Sequence, residues 1–188
     1  EDVDGSEIPR LYFDFLRTGE LSILDAVMEH NALDLLGLAM LVNLGARCLE
    51  DISHARDEGE ILGTARLLEN AGDLDAAVMR LETVRAMAER LDVQALALRR
   101  LSQIRKKRKL YTEAIALWEE LRLMGDSRAV RELSIHYEHR ERDLPRALSL
   151  VRHALKASDL SGTQQSDLER RLQRLTRKLA RLESEDGP

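Results

Sequence analysis

A few groups of residues in this 188-residue chain have types and spacings that could carry chemistry. His136 and His139 stand three apart, which puts both imidazoles on one side of a helix at a spacing that suits a metal ion. No cysteine accompanies them, and Glu138, Arg140 and Glu141 surround them, so they read as solvated surface histidines. Arg105-Lys106-Lys107-Arg108-Lys109 is an unbroken basic run. Together with Arg99, Arg100 and Tyr111 it could meet a phosphate backbone; the plainer alternative is a solvated loop at a helix–turn junction, and salt dependence of binding separates the two. His30 and Asp34 stand four apart, also on one helical face; by residue type alone they form a polar cluster at a helix start. Trp118 and Tyr137 lie at helical core spacing and read as core residues rather than base-stacking platforms. Cys48 is the only cysteine, so no disulfide forms within the chain, and its apolar surroundings make it a small core residue. There is no glycine-rich phosphate loop, no Ser/His/Asp set and no Cys/His cluster.

The elements that must position these groups are helices. Leu, Ala, Arg and Glu dominate, aromatics are 3% and prolines number three, a composition of good helix formers. No unbroken apolar run reaches the roughly 20 residues of a membrane span, so no membrane contact is expected; with a single cysteine, the expected compartment is a reducing, cytoplasmic one. Net charge is −5 but uneven, at −12 over residues 1–94 and +7 over residues 95–188. Such a split either marks a half that faces nucleic acid or reflects arginine-rich helix surfaces.

Three segments repeat: Ala71-Gly72-Asp73-Leu74-Asp75-Ala76-Ala77, Lys109-Leu110-Tyr111-Thr112-Glu113-Ala114, and Arg142-Asp143-Leu144-Pro145-Arg146-Ala147. Their last alanines are 37 and 33 residues apart. Small residues precede each turn (Thr64-Ala65, Ser102, Ser134), the last of them one residue further from its alanine than the others. After each turn, apolar residues follow at helical spacing, as in Ala114, Ile115, Trp118 and Leu121. Two antiparallel helices joined by a tight turn approach closely just beyond it, where a methyl group fits and a leucine does not. Gly72 suits a helix-ending conformation and Pro145 a first helical turn. The second and third turns have no glycine, offering Arg108 and Glu141 or Arg142 instead. These segments resemble tetratricopeptide (TPR) repeats, whose period is about 34 residues.

Further on, Leu168, Leu172, Leu175, Leu179 and Leu182 form a heptad seam. It reads as a capping helix over the last repeat, with a homodimer through the seam as the alternative.

The first fifty residues have no repeat partner. Ile8 to Arg17 reads as a short helix ended by Thr18-Gly19, Leu21 to Glu29 as a second with Ser22 as its cap, and Asn31 to about Glu50 as a long helix, apolar nearly all round and therefore buried on several sides. The stretches Ile8-Pro9-Arg10-Leu11-Tyr12-Phe13-Asp14-Phe15-Leu16-Arg17-Thr18-Gly19 and Glu29-His30-Asn31-Ala32-Leu33-Asp34-Leu35-Leu36-Gly37-Leu38 resemble the end of a ribonuclease H-like exonuclease domain, and most of all the bacterial YprB-type group of DEDD-superfamily 3′–5′ exonucleases. The resemblance implies that Asp34 matches the last of four carboxylates binding two divalent metals, Mg²⁺ or Mn²⁺. His30 falls where that superfamily has a Tyr or His that positions or activates water; its spacing is that of the Tyr-type subgroup. The other carboxylates have no counterpart in these residues, so the chain is expected to be the C-terminal part of a larger protein, inactive alone and with no metal bound.

The expected fold is therefore all-α: terminal helices of an RNase H-like domain (1–52), TPR-like hairpins in a solenoid (53–160), a capping helix (161–183) and a disordered tail (184–188). The expected partners are nucleic acid, or a protein segment in the groove of the repeats. The main alternative function is a non-enzymatic TPR scaffold.

Overall fold

The computed structural model describes residues 3–156 and 160–185. The described residues are helical throughout, with turns between and no strand. The chain divides into two compact units, residues 1–56 and 57–188.

In the first unit, α1 (Ile8–Thr18) has Pro9 in its first turn and ends on Gly19, whose φ of 71° is the left-handed conformation that closes a helix. A 3₁₀ turn, Leu21–Leu24, leads into α2 (Asp25–Glu50). This corrects the expected pair of helices Leu21–Glu29 and Asn31–Glu50. No glycine or proline lies between Asp25 and Gly37 to interrupt the helix, so it runs straight through His30. Ser22 caps nothing; its hydroxyl donates to Glu20 at 3.0 Å. A short 3₁₀ turn, Ile52–His54, follows α2, capped by Asp51, which accepts from the Ser53 amide at 2.8 Å.

Cys48 is buried, as expected of a core residue, and so is Val27. The expected burial of α2 on several sides is not met: Leu33, Leu35, Leu36, Leu38, Met40, Leu41 and Val42 are each more than half exposed. One short helix and two single turns offer too little surface to cover a 26-residue helix that is apolar nearly all round. The stretch Leu21–Glu50 is also long and apolar enough to cross a membrane by length and composition alone, although it contains no unbroken apolar run of that length. Asp34, near its middle, opposes such a placement, because a carboxylate at the centre of a bilayer costs about 2.5–3.5 kcal/mol or more.

The second unit is a succession of helical hairpins: α3 (Glu58–Ala71) with α4 (Leu74–Met87), α5 (Leu91–Lys107) with α6 (Tyr111–Leu123), and α7 (Ser127–His136) with α8 (Leu144–Ala154). Then comes α9 (Gly162–Glu185). From α4 to α8 each helix packs on the one before and the one after it, α3 also reaches α5, and α7 also reaches α9. Ala77, Ala114 and Ala147 have no exposed surface, and Ala65, Ser102 and Ser134 are buried with them. The close approach at small residues is therefore present at all three hairpins.

The three hairpin turns share one backbone device. Gly72, Lys109 and Arg142 each take a left-handed conformation, at φ of 87°, 61° and 56°. The left-handed residue of the second turn is thus Lys109 rather than Arg108. Just beyond, the Asp73 amide donates back to Leu68 O at 3.0 Å, and the Leu110 amide to Arg105 O at 2.9 Å. In the third hairpin the Asp143 amide reaches Tyr137 O, one residue further back in register. The cause is a π-helical turn, Tyr137–Glu141, which takes up the single extra residue between Ser134 and Ala147. Asp57, Asp73, Asp126 and Asp143 cap α3, α4, α7 and α8, each accepting a backbone N–H two or three residues on, at 2.8–3.0 Å.

Leu168 and Leu175 are buried in α9, which packs on α8 and α7, with Leu172 and Leu179 partly covered and Leu182 exposed. The seam proposed for a second copy is largely used inside the chain. Ser184 and Glu185 are helical, contrary to the expected disordered tail; residues 186–188 lie outside the described residues.

Candidate functional site

His30 and Asp34 lie one turn apart on α2, with His30 Nε2 3.4 Å from Asp34 Oδ2. The imidazole is a quarter exposed and the carboxylate 71% exposed. Asp34 faces solvent and His30 is half-buried beside it, with exposed Glu29 and Asn31 next to His30 and leucines following Asp34. That pair can pass or hold a proton and can offer one hard oxygen ligand. It does not make a metal centre: among the described residues no three His, Cys, Asp or Glu side chains converge. Two divalent ions need more oxygen ligands than the described residues bring together.

The basic run is mostly consumed by the fold. Arg105 pairs with Glu113 at 2.9 Å and approaches Glu82 at 3.7 Å. Lys106 meets Glu132 at 2.5 Å and lies over the Trp118 ring at 5.9 Å. Arg108 pairs with Asp75 at 2.7 Å. Lys107 and Lys109 are exposed and have no acidic partner among the described residues. Of the companions, Arg99 bonds Asp126, Arg100 pairs with Glu69 at 2.9 Å, and Tyr111 lies under Arg140, whose guanidinium is 3.6 Å from the ring centre. Most of these pairs join residues 26–33 positions apart, so the cations tie the hairpins together. Each such exposed pair contributes up to about 1 kcal/mol.

Trp118 and Tyr137 are core residues, at 4% and 2% exposure. His136 departs from its expected place on the surface. It is buried between the Tyr111 and Tyr137 rings, 5.9 Å from each, with Nε2 3.2 Å from Glu141 Oε1. The π turn swings His139 to the other side, where it is half-exposed and 3.5 Å from Glu138, so the two histidines share no ligand.

Glu138 was invisible as a special residue in the sequence. Its side chain is 1% exposed and gathers Lys178 at 3.0 Å, Arg171 at 2.8 Å and Arg174, all from α9. Burial pushes its carboxyl up, but the Lys178 hydrogen bond and the Arg171 and Arg174 charges outweigh burial and hold it below the ordinary value. Burial lowers the Arg171 guanidinium, which also donates through Nε to Ser134 Oγ at 2.9 Å. Arg171, Arg174 and Lys178 at spacings of three and four, beside the leucine seam, were the available signal for a buried acid.

A family model described as RNase_H superfamily matches residues 1–45, the unit that carries His30 and Asp34. Over 184 residues the chain is 30% identical to the uncharacterized protein YprB of Bacillus subtilis (strain 168), covering 95% of this chain and 44% of that protein. The chain thus spans less than half the length of this relative. No solved structure matches it. Residues 1–45 thus match the RNase H superfamily model, and the chain nearly end to end is similar to YprB.

Proposed function

We propose that the chain is part of a metal-dependent 3′–5′ exonuclease of the DEDD kind, joined to a TPR-like array that holds a protein or nucleic-acid partner near the reacting strand. Asp34 carries this reading. It is an exposed carboxylate in the middle of an apolar helix, inside the segment that matches the RNase H superfamily, with an imidazole one turn away. Its ion-pair partner among the described residues is His30, and at 71% exposure the carboxylate is free to meet a ligand from solvent. In the intact gene product Asp34 would be one oxygen ligand for Mg²⁺ or Mn²⁺, the remaining carboxylates coming from outside these residues. Bound divalent ions supply activation of water and stabilisation of the leaving oxygen. His30 would position the Asp34 carboxylate or the incoming water.

Polarity of digestion tests the reading. Single-stranded DNA labelled at its 5′ end is incubated with the intact gene product and Mn²⁺. A ladder that shortens progressively from the 3′ end supports it. Label released as a mononucleotide from the start, or no cleavage with Mn²⁺ and none when Mg²⁺ replaces it, refutes it.

The same hairpins favour a second reading, a scaffold with no catalytic role, because α3–α8 pair and stack in succession within one compact unit. It predicts a tight protein partner and an intact gene product that leaves nucleic acid untouched.

A further inference from the structure

The second unit has a groove along α5, α7 and the start of α9. One part, of about 390 Å³, is lined by Arg99, Lys106, Trp118, Arg128, Arg131 and Asp126 among others. It continues into a second hollow of about 570 Å³, which shares Arg99, Asp126 and Arg128 and extends to Gln164 of α9. The two hollows, which share Arg99, Asp126 and Arg128, together offer more room than a single small anion fills.

The groove contains acids as well as bases, but they lie at different depths. The Arg99 side chain is 34% exposed and its partner Asp126 only 4%. Lys106 is 45% exposed and its partner Glu132 27%. Arg131 and Asp167 are both about half exposed, 3.5 Å apart. The Arg128 side chain is exposed and has no acidic partner among the described residues. Two of the three pairs therefore keep the carboxylate less exposed than the cation, and Arg128 adds a positive charge with no ion-pair partner among the described residues, while the exposed Asp92 of the second hollow is held by Arg90. A less exposed carboxylate fixes the cation in place without cancelling its outward donors.

We infer that this groove binds single-stranded nucleic acid through its phosphodiester backbone, with Lys106, Arg128 and Arg131 as the principal contacts and Arg99 beneath them. The choice of nucleic acid over an acidic peptide rests on the nuclease reading given above. Trp118 is too deeply buried to stack on a base, so binding is electrostatic and indifferent to sequence. Of the sequence's basic run, only Lys106 lines the groove; Lys107 and Lys109, though unpaired, do not.

The test measures fluorescence anisotropy of labelled oligothymidylate and oligouridylate with this 188-residue chain in EDTA, between about 50 and 200 mM salt. The double variant Lys106→Gln/Arg128→Gln is compared with Lys107→Gln/Lys109→Gln, each checked for folding by circular dichroism. The groove variant should bind either oligomer roughly tenfold more weakly, with a salt slope shallower by about 1.4. The run variant should change by less than twofold. Equal losses in both variants, displacement by polyglutamate as effective as by oligonucleotide, or no binding at the lowest salt would each overturn the proposal. Because EDTA removes any metal, binding here is independent of Asp34. A chain that binds while the intact product cleaves nothing sinks the nuclease alone, and the reverse sinks the groove alone.

Discussion

Lys178 Nζ donates to Glu138 Oε1 at 3.0 Å across 40 residues of sequence, joining the last helix to the irregular turn between α7 and α8. Arg171 and Arg174 meet the other carboxylate oxygen. This buried acid and the buried Leu168 and Leu175 together hold α9 on the preceding hairpin.

Replacing the acid tests its part. Glu138→Gln leaves Arg171 buried without its counter-charge and should cost about 3–5 kcal/mol, read as a lower urea midpoint. Since the folded carboxyl titrates below its ordinary value, its stabilisation is fully present above the unfolded pKa and is lost as pH falls through the folded one. The wild-type chain should therefore lose stability below about pH 4, and the Gln variant should lose less over the same range. Parallel acid titrations of the two would contradict this.

The turns make a second prediction. Lys109 and Arg142 hold left-handed conformations that glycine takes freely. Lys109→Gly and Arg142→Gly should each stabilise by roughly 0.5–1 kcal/mol, while Gly72→Ala should destabilise by about 1 kcal/mol. Thermal melts decide; destabilisation by both glycine variants would show that the turns are not strained.

At the hairpin closure, Ala114 has no exposed surface. Ala114→Leu should overpack α5 against α6 and cost about 1–3 kcal/mol or more. A melting temperature equal to wild type would mean that the helices can part there without loss.

Much of this architecture was legible because its signals are local. The alanines at 77, 114 and 147 and the small residues ahead of each turn announce close helix approach. Even the single-residue excess before Ala147 is visible, and the π turn at Tyr137–Glu141 accounts for it. The unbroken run of α2 through His30 was missed because a polar triplet resembles a helix boundary when no glycine or proline marks one. Glu138 and the groove were missed for a different reason. Glu138 stands in a stretch that reads as solvated, and its partners come from a helix more than thirty residues on. Whether a cation is free or paired depends on such distant carboxylates, so the basic run Arg105 to Lys109 looked like one surface although three of its five members are engaged. The His30–Asp34 pair was legible only through family resemblance, since an imidazole and a carboxylate four apart are common on any helix.

The central claim concerns Asp34. The decisive measurement is the rate at which the intact gene product, with Mn²⁺, removes the 3′-terminal nucleotide of single-stranded DNA, for wild type and for Asp34→Asn. The account predicts a fall of at least about 100-fold with unchanged folding and oligonucleotide affinity. Equal rates for the two proteins would contradict it.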